Sequence, residues 1–177
     1  MFDDSDIKIA GERHFIMHER SKVTDESLTE YQIDKSRLLG KSIAEKFVNA
    51  ANNAFVDDAS DTQMLIQRRL LLSFTVSVAL DECCVNDAAA GVAEKAFLDE
   101  LSRISPEFFS TSNDTGAFSF YYLAYRRRTE VDRRIGQTFA MLCAHDGDPI
   151  YQELGEALYC WFKSVIEKEI ANFGVGK

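Results

Sequence analysis

Proline is almost absent from this chain: two occur in 177 residues, Pro106 and Pro149. Each follows a residue that can cap a helix, Ser105 or Asp148, and each therefore fits the first turn of a helix, where its missing N–H would be unpaired anyway. The rest of the chain contains no proline that would interrupt a helix. The distribution predicts an all-α chain with long helices that begin at or near these prolines.

Apolar residues recur at steps of three and four over residues 28–55, which places them on one face of a helix: Leu28, Tyr31, Leu38, Leu39, Ile43, Phe47, Ala51 and Phe55. Ser27 and Glu30 have the spacing of a reciprocal cap, in which a hydroxyl and a carboxylate satisfy the first N–H groups. We therefore expect a long first helix from Thr24 or Ser27, with a bend at Gly40 as an option.

Residues 61–84 form the most apolar part of the chain, and between Leu70 and Leu80 only Ser73, Thr75 and Ser77 are polar. A helix that is apolar on nearly all sides is usually the central one of a bundle. Residues 74–78 also alternate with a period of two and include β-branched side chains, as a strand would. We prefer a helix because the apolar pattern continues back to Met64, beyond the usual length of a strand.

The whole pattern predicts one all-α bundle domain over residues 24–177, with five main helices and a short connecting helix. The expected helices cover about residues 24–55, 61–84, 87–104, 116–144 and 149–173, with the short helix after Pro106 and a polar loop at residues 110–115. The turn before Pro149 contains His145, Asp146 and Gly147. Residues 1–23 are expected to be irregular or to form one short strand.

The net charge of −9 argues against a general nucleic-acid surface or an anionic membrane surface, since both require positive charge on the protein. No apolar stretch approaches the length of a membrane-spanning helix, and the acidic start does not resemble a secretory signal. The four cysteines lack paired Cys-x-x-Cys spacing and are expected to be reduced and buried. These features predict a cytoplasmic protein.

Two motifs are too incomplete to carry a site. Gly40-Lys41-Ser42 resembles the end of a phosphate-binding loop, but Lys35 occupies the position where that loop requires glycine. His14 and His18 have the spacing of two metal ligands on one helical face, yet residue 15 is not the glutamate of a zinc-protease helix. They remain weak metal candidates beside the simpler interpretation of surface histidines. No cofactor is expected.

The most unusual segment is residues 126–134, which contains five arginines and two acids and so carries +3, against −12 for the rest of the chain. It follows directly after an aromatic run. On a continuous helix, Tyr121, Tyr122, Tyr125, Arg128 and Asp132 would share one stripe. Arginine and tyrosine are typical of interface hot spots and of clefts for carboxylate or phosphate. Three interpretations follow, in order of preference: pairing with acidic helices of the same molecule, contact with a partner chain, or binding of an anionic small ligand.

The sequence contains no convincing catalytic constellation, so a non-enzymatic interaction or regulatory protein that self-associates is the leading hypothesis. The candidate ligand- or partner-binding residues are Tyr121, Tyr122, Tyr125, Arg126, Arg128, Arg133, Arg134 and Trp161. The alternative is a small-molecule binding module or enzyme whose bundle interior holds an apolar or anionic ligand near Tyr121, Tyr125, Arg128 and Trp161.

Overall fold

A computed structural model describes residues 28–54, 62–112 and 115–177. These residues form seven α-helices. In chain order they are α1 (Glu30–Ala54), α2 (Thr62–Cys83), α3 (Asp87–Ile104), α4 (Pro106–Ser112), α5 (Thr115–Arg126), α6 (Val131–Leu142) and α7 (Pro149–Phe173). The predicted all-α fold is confirmed. The expectation for residues 1–23 lies outside the described residues.

Helix α2 is the centre of the bundle, as its apolar sequence predicts. It contacts the five helices that follow it, and the other large interfaces pair α1 with α3 and α6 with α7. Leu70, Phe74 and Leu80 are fully buried within it. Residues 74–78 are helical, so the alternative of a strand is wrong for this segment.

Two helix starts show how the local sequence sets the boundaries. The side chain of Asp148 accepts a hydrogen bond from the N–H of Ile150, which confirms the predicted cap before Pro149. At α1 a reciprocal cap is formed by Thr29 and Gln32: each side chain accepts from the other residue's backbone N–H. Ser27, the first residue of the predicted cap, lies outside the described residues. Glu30 is already the first residue of the helix.

The predicted inner faces of α1 and α7 are correct only in part. Leu39, Ile43 and Phe47 of α1 are buried, whereas Tyr31 and Leu38 are exposed. In α7, Leu158 is buried, but Ile150 and Trp161 are largely exposed. Because neighbouring residues stand about 100° apart around a helix axis, Leu38 points away from the core when Leu39 points into it.

Glycines allow two helix pairs to approach closely. A Cβ at Gly40 would lie 2.1 Å from the carbonyl oxygen of Ala93, so α1 and α3 touch backbone to backbone there. A Cβ at Gly136 would lie 2.3 Å from the carbonyl oxygen of Gln152, and α6 and α7 are joined in the same way. Gly40 thus serves helix packing inside a continuous helix.

The segment predicted as one long helix over residues 116–144 is two helices, α5 and α6, and this is the largest difference from the sequence prediction. Residues 127–130 separate them, and Arg128 and Glu130 have positive φ angles of 57° and 47°. The predicted polar loop at residues 110–115 is also shorter, since α4 extends to Ser112.

The C-terminal residues pair with the link between α2 and α3. Val85 donates its N–H to the carbonyl of Val175 at 2.9 Å, and Lys177 donates its N–H to the carbonyl of Cys83 at 2.9 Å. An isolated antiparallel bridge joins Cys84 and Gly176. The carboxyl end of α2 is thereby held against the end of the chain.

Candidate functional site

The break between α5 and α6 redistributes the five arginines of residues 126–134. Arg128 donates its backbone N–H to the carbonyl of Tyr125 at 3.1 Å, which closes a turn at the end of α5. The chain then leaves the helix direction and begins α6 at Val131. The predicted stripe from Tyr121 to Asp132 is therefore wrong, because its members stand on two helices and the turn between them.

Arg128 is directed by this turn onto Glu82, in the last turn of α2. The carboxylate of Glu82 accepts hydrogen bonds from the hydroxyl of Tyr125, from Arg128 at 3.2 Å and from Lys163 at 2.9 Å. We call these four residues the Glu82 cluster. It ties α2, the α5–α6 turn and α7 together through one carboxylate, which is 29% exposed.

Electrostatics keep Glu82 ionised. Burial opposes the charged form, but the hydrogen bonds from Tyr125 and Lys163 and the charges of Lys163 and Arg128 outweigh it, so the pKa of Glu82 is lowered. The pKa of Tyr125 is raised, first by burial and then by its hydrogen bond to Glu82. The phenol is therefore a hydrogen-bond donor to a carboxylate, and the cluster is fixed in one protonation state at neutral pH.

Two buried tyrosines lie beside the cluster. Tyr121 is fully buried and packs on Phe74 with ring centroids 5.5 Å apart. Tyr159 is also buried, and its pKa is raised by burial and then by the charges of Glu82 and Asp132. Neither hydroxyl has a hydrogen-bond partner among the described residues. Tyr121 is thus a core residue, and Tyr159 brings a hydroxyl close to the charges of the cluster.

The end of α5 presents a different surface. Phe120 and Leu123 are 49% and 43% exposed. Arg126, the last residue of α5, is three residues after Leu123 and so neighbours it on the helix, and the exposed Arg127 follows in the turn. Arg126 has its guanidinium 6.0 Å from the ring centroid of Tyr122.

Within the described chain, neither Arg126 nor Arg127 forms an ion pair. We call Phe120, Leu123, Arg126 and Arg127 the outer face of α5. It combines two half-exposed apolar side chains with two guanidinium groups that no described carboxylate neutralises.

The remaining predicted arginines are engaged locally. Arg133 pairs with Glu130 at 3.4 Å on the exposed surface, and Arg134 donates to the carbonyl of Thr129 at 2.9 Å. Both contacts stabilise the start of α6 and the turn before it. Of the five arginines, Arg128, Arg133 and Arg134 thus form polar contacts with other residues of the same chain, and Arg126 and Arg127 form no ion pair with a described residue.

Trp161 does not join these residues. Its ring lies 6.0 Å from that of Phe47 and 5.3 Å from that of Phe162. On α7 it stands about 160° around the axis from Tyr159 and Lys163, which share a face at a spacing of four. The structure therefore separates Trp161 from Tyr121, Tyr125 and Arg128.

Sequence reasoning missed two residues of the Glu82 cluster, Glu82 itself and Lys163. Their contacts join positions 81 residues apart, and no local pattern connects them. The one available signal is that Glu82 ends the most apolar helix, where a carboxylate needs a cationic or hydrogen-bonding partner to remain charged.

The cysteines and histidines add no reactive group to this region. All four cysteines are free; burial raises the pKa of Cys84 to about 12, and Cys160, expected to be buried, is exposed. In the described part of the chain, no three His, Cys, Asp or Glu side chains are grouped as metal ligands. His14 and His18 lie outside that part.

Among the described helices, none is both long and apolar enough to span a membrane. Comparisons with models of known protein families, with curated proteins and with solved structures gave no match.

Proposed function

We propose that the protein is a non-enzymatic interaction protein that self-associates, and that the outer face of α5 is part of its contact surface. The observation that carries the proposal is the exposure of Phe120 and Leu123 beside Arg126 and Arg127. Aromatic residues and arginine are enriched among the residues that dominate binding energy at interfaces. A partner that covers this face buries apolar area and meets two unneutralised charges.

The size of the apolar contribution follows from burial. Each of the two side chains is already about half buried, so completing the burial contributes about 1 kcal/mol per residue. Removing both should weaken each contact that this face makes by about 2 kcal/mol, or about 30-fold. Their loss should have little effect on folding, because exposed side chains contribute little to the core.

Sedimentation velocity over a wide concentration range tests the proposal. The wild-type chain should show a concentration-dependent mass above that of one 20.0 kDa chain. Phe120→Ala/Leu123→Ala should shift the transition to at least about 30-fold higher concentration. The matched control is Tyr31→Ala/Leu38→Ala, which removes two even more exposed apolar side chains from α1 and should leave the transition in place. A wild-type chain that stays a monomer at high micromolar concentration would refute the proposal.

A second candidate, a binding module for an anionic small molecule, is favoured by the hydroxyl of Tyr159. This buried donor has no described partner, and the carboxylate that acts on its pKa, Glu82, is the one that holds the cations Arg128 and Lys163. Inorganic phosphate or decanoate should then raise the melting temperature of the wild-type chain, because a ligand of the native state stabilises it. The rise should be lost in Tyr159→Phe. No rise with either probe would remove this candidate.

A further inference from the structure

A second exposed apolar site lies at the other end of α6 from the outer face of α5. Ile150, in the first turn of α7, is 73% exposed, the largest exposure of any large apolar side chain in the described residues. Glu153 stands one turn further along α7, and Asp146 lies in the turn that leads into the helix; both are exposed. Neither of these carboxylates forms an ion pair with a described residue. We call Asp146, Ile150 and Glu153 the Ile150 patch.

The two surfaces are complementary in composition. One carries apolar side chains beside two free guanidinium groups, and the other carries an apolar side chain beside two free carboxylates. Opposite charges at the edge of an apolar contact set its orientation and exclude other pairings. By contrast, the exposed Tyr31 of α1 has the ammonium of Lys35 4.7 Å from its ring centroid, and that cation would repel Arg126 and Arg127.

The two surfaces cannot pair within one molecule. Residues 126–127 precede α6 and residue 146 follows it, and a helix of 12 residues is about 18 Å long. An ion pair requires a separation of about 4 Å. A contact between the two surfaces therefore requires two molecules.

We infer that the outer face of α5 in one copy docks on the Ile150 patch of a second copy. This inference rests on the proposed self-association and names the two surfaces that meet. In a two-fold dimer the same contact occurs twice, since the α5 face of each copy meets the Ile150 patch of the other. The dimer thereby neutralises four arginines with four carboxylates.

Charge reversal tests the pairing. Arg126→Glu/Arg127→Glu places carboxylates against the acidic patch, and Asp146→Arg/Glu153→Arg places guanidinium groups against the basic face. Each double variant should raise the dissociation constant at least about tenfold in sedimentation velocity. All four sites are exposed, and circular dichroism at 222 nm verifies that the helices are retained.

The decisive sample combines all four substitutions in one chain. Both surfaces are then reversed and again complementary, so the dissociation constant should return to within about threefold of the wild-type value. An equimolar mixture of the two double variants should also dimerise, because each supplies the surface that the other lacks. Raising the salt concentration should weaken the wild-type dimer, since exposed charges are screened.

Two results would overturn the inference and remain distinct from failure of the proposed function. If the fourfold variant and the mixture stay as weak as the double variants, the two surfaces do not meet. If Asp146→Arg/Glu153→Arg associates like the wild type, the Ile150 patch is not involved. In both cases a wild-type dimer that Phe120→Ala/Leu123→Ala weakens would leave the proposed function standing. A monomeric wild type would remove both.

Discussion

Arg128 and its two preceding neighbours, Arg126 and Arg127, are adjacent in sequence and have opposite surroundings. Arg128 pairs with Glu82, together with Tyr125 and Lys163, whereas Arg126 and Arg127 face solvent with no described carboxylate. The turn between α5 and α6 makes the difference, because it brings the guanidinium of Arg128 onto Glu82 and leaves the other two without a described carboxylate. A run of like charges can thus serve folding at one residue and remain available for binding at the next.

The comparison leads to a simple expectation. Substitutions in the Glu82 cluster should lower the free energy of unfolding, because they leave charged or buried groups without partners. Substitutions on the outer face of α5 should leave that free energy nearly unchanged and should alter association instead.

Glu82→Ala should have the largest effect. It removes the shared acceptor of Tyr125, Arg128 and Lys163, and we expect the free energy of unfolding to fall by about 2 kcal/mol. The value lies below that for fully buried ion pairs because Glu82 is 29% exposed. Urea unfolding followed at 222 nm measures it.

The matched control is Asp99→Ala, which removes the carboxylate of an exposed pair, with Lys95 at 2.8 Å. That substitution should change the free energy of unfolding by less than about 0.5 kcal/mol. Equal losses in the two variants would mean that the Glu82 cluster contributes no more than a surface ion pair.

Tyr125→Phe should have the next largest effect. It keeps the ring that packs on Phe74, with centroids 6.1 Å apart, and removes only the hydroxyl that donates to Glu82. We expect the free energy of unfolding to fall by about 1 kcal/mol, the usual contribution of one hydrogen bond. Tyr122→Phe, on the half-buried neighbour, serves as the control and should leave the free energy of unfolding nearly unchanged. An equal or larger loss in Tyr122→Phe would show that the hydrogen bond to Glu82 is not the cause of the effect.

The sequence predicts those features of the fold that depend on residues close together in the chain, and it misses those that depend on contacts between distant residues. Helix positions and the central place of α2 follow from apolar periodicity, caps and the two prolines, which all act over a few residues. The break after α5 has no such signal, since residues 127–130 contain neither glycine nor proline. Two left-handed residues there are sustained by contacts with Glu82 and within the turn.

The candidate site follows the same rule. The sequence shows rings and guanidinium groups between Tyr121 and Arg134. The predicted stripe placed them on one helix with a single axis. Once the axis changes at Arg128, Tyr121 belongs to the core and Trp161 lies on another side of α7. Glu82 meets Tyr125 and Arg128 across 43 and 46 residues of sequence, a distance that single-helix patterns do not cover.

The pH dependence of the free energy of unfolding should show a smaller effect of the Glu82 cluster. The pKa of Glu82 is lowered in the folded state, so its ionised form stabilises the fold above the ordinary glutamate pKa of about 4.3. This contribution is lost as the pH falls through the lowered value. The difference in unfolding free energy between the wild type and Glu82→Gln should therefore shrink between pH 6 and pH 3. A difference that is constant over this interval would show that the charge of Glu82 contributes nothing.

The smallest effect on stability is expected for substitutions on the outer face of α5. Arg126→Ala/Arg127→Ala removes two cations that have no described carboxylate partner, so the free energy of unfolding should change by less than about 0.5 kcal/mol. The same variant should self-associate more weakly than the wild type, and the difference should diminish in 1 M salt, where exposed charges are screened within about 3 Å. Urea unfolding at low protein concentration and sedimentation velocity measure the two properties separately. A fall in stability comparable to that of Glu82→Ala would show that these arginines serve the fold as Arg128 does, and the division between the two regions would be wrong.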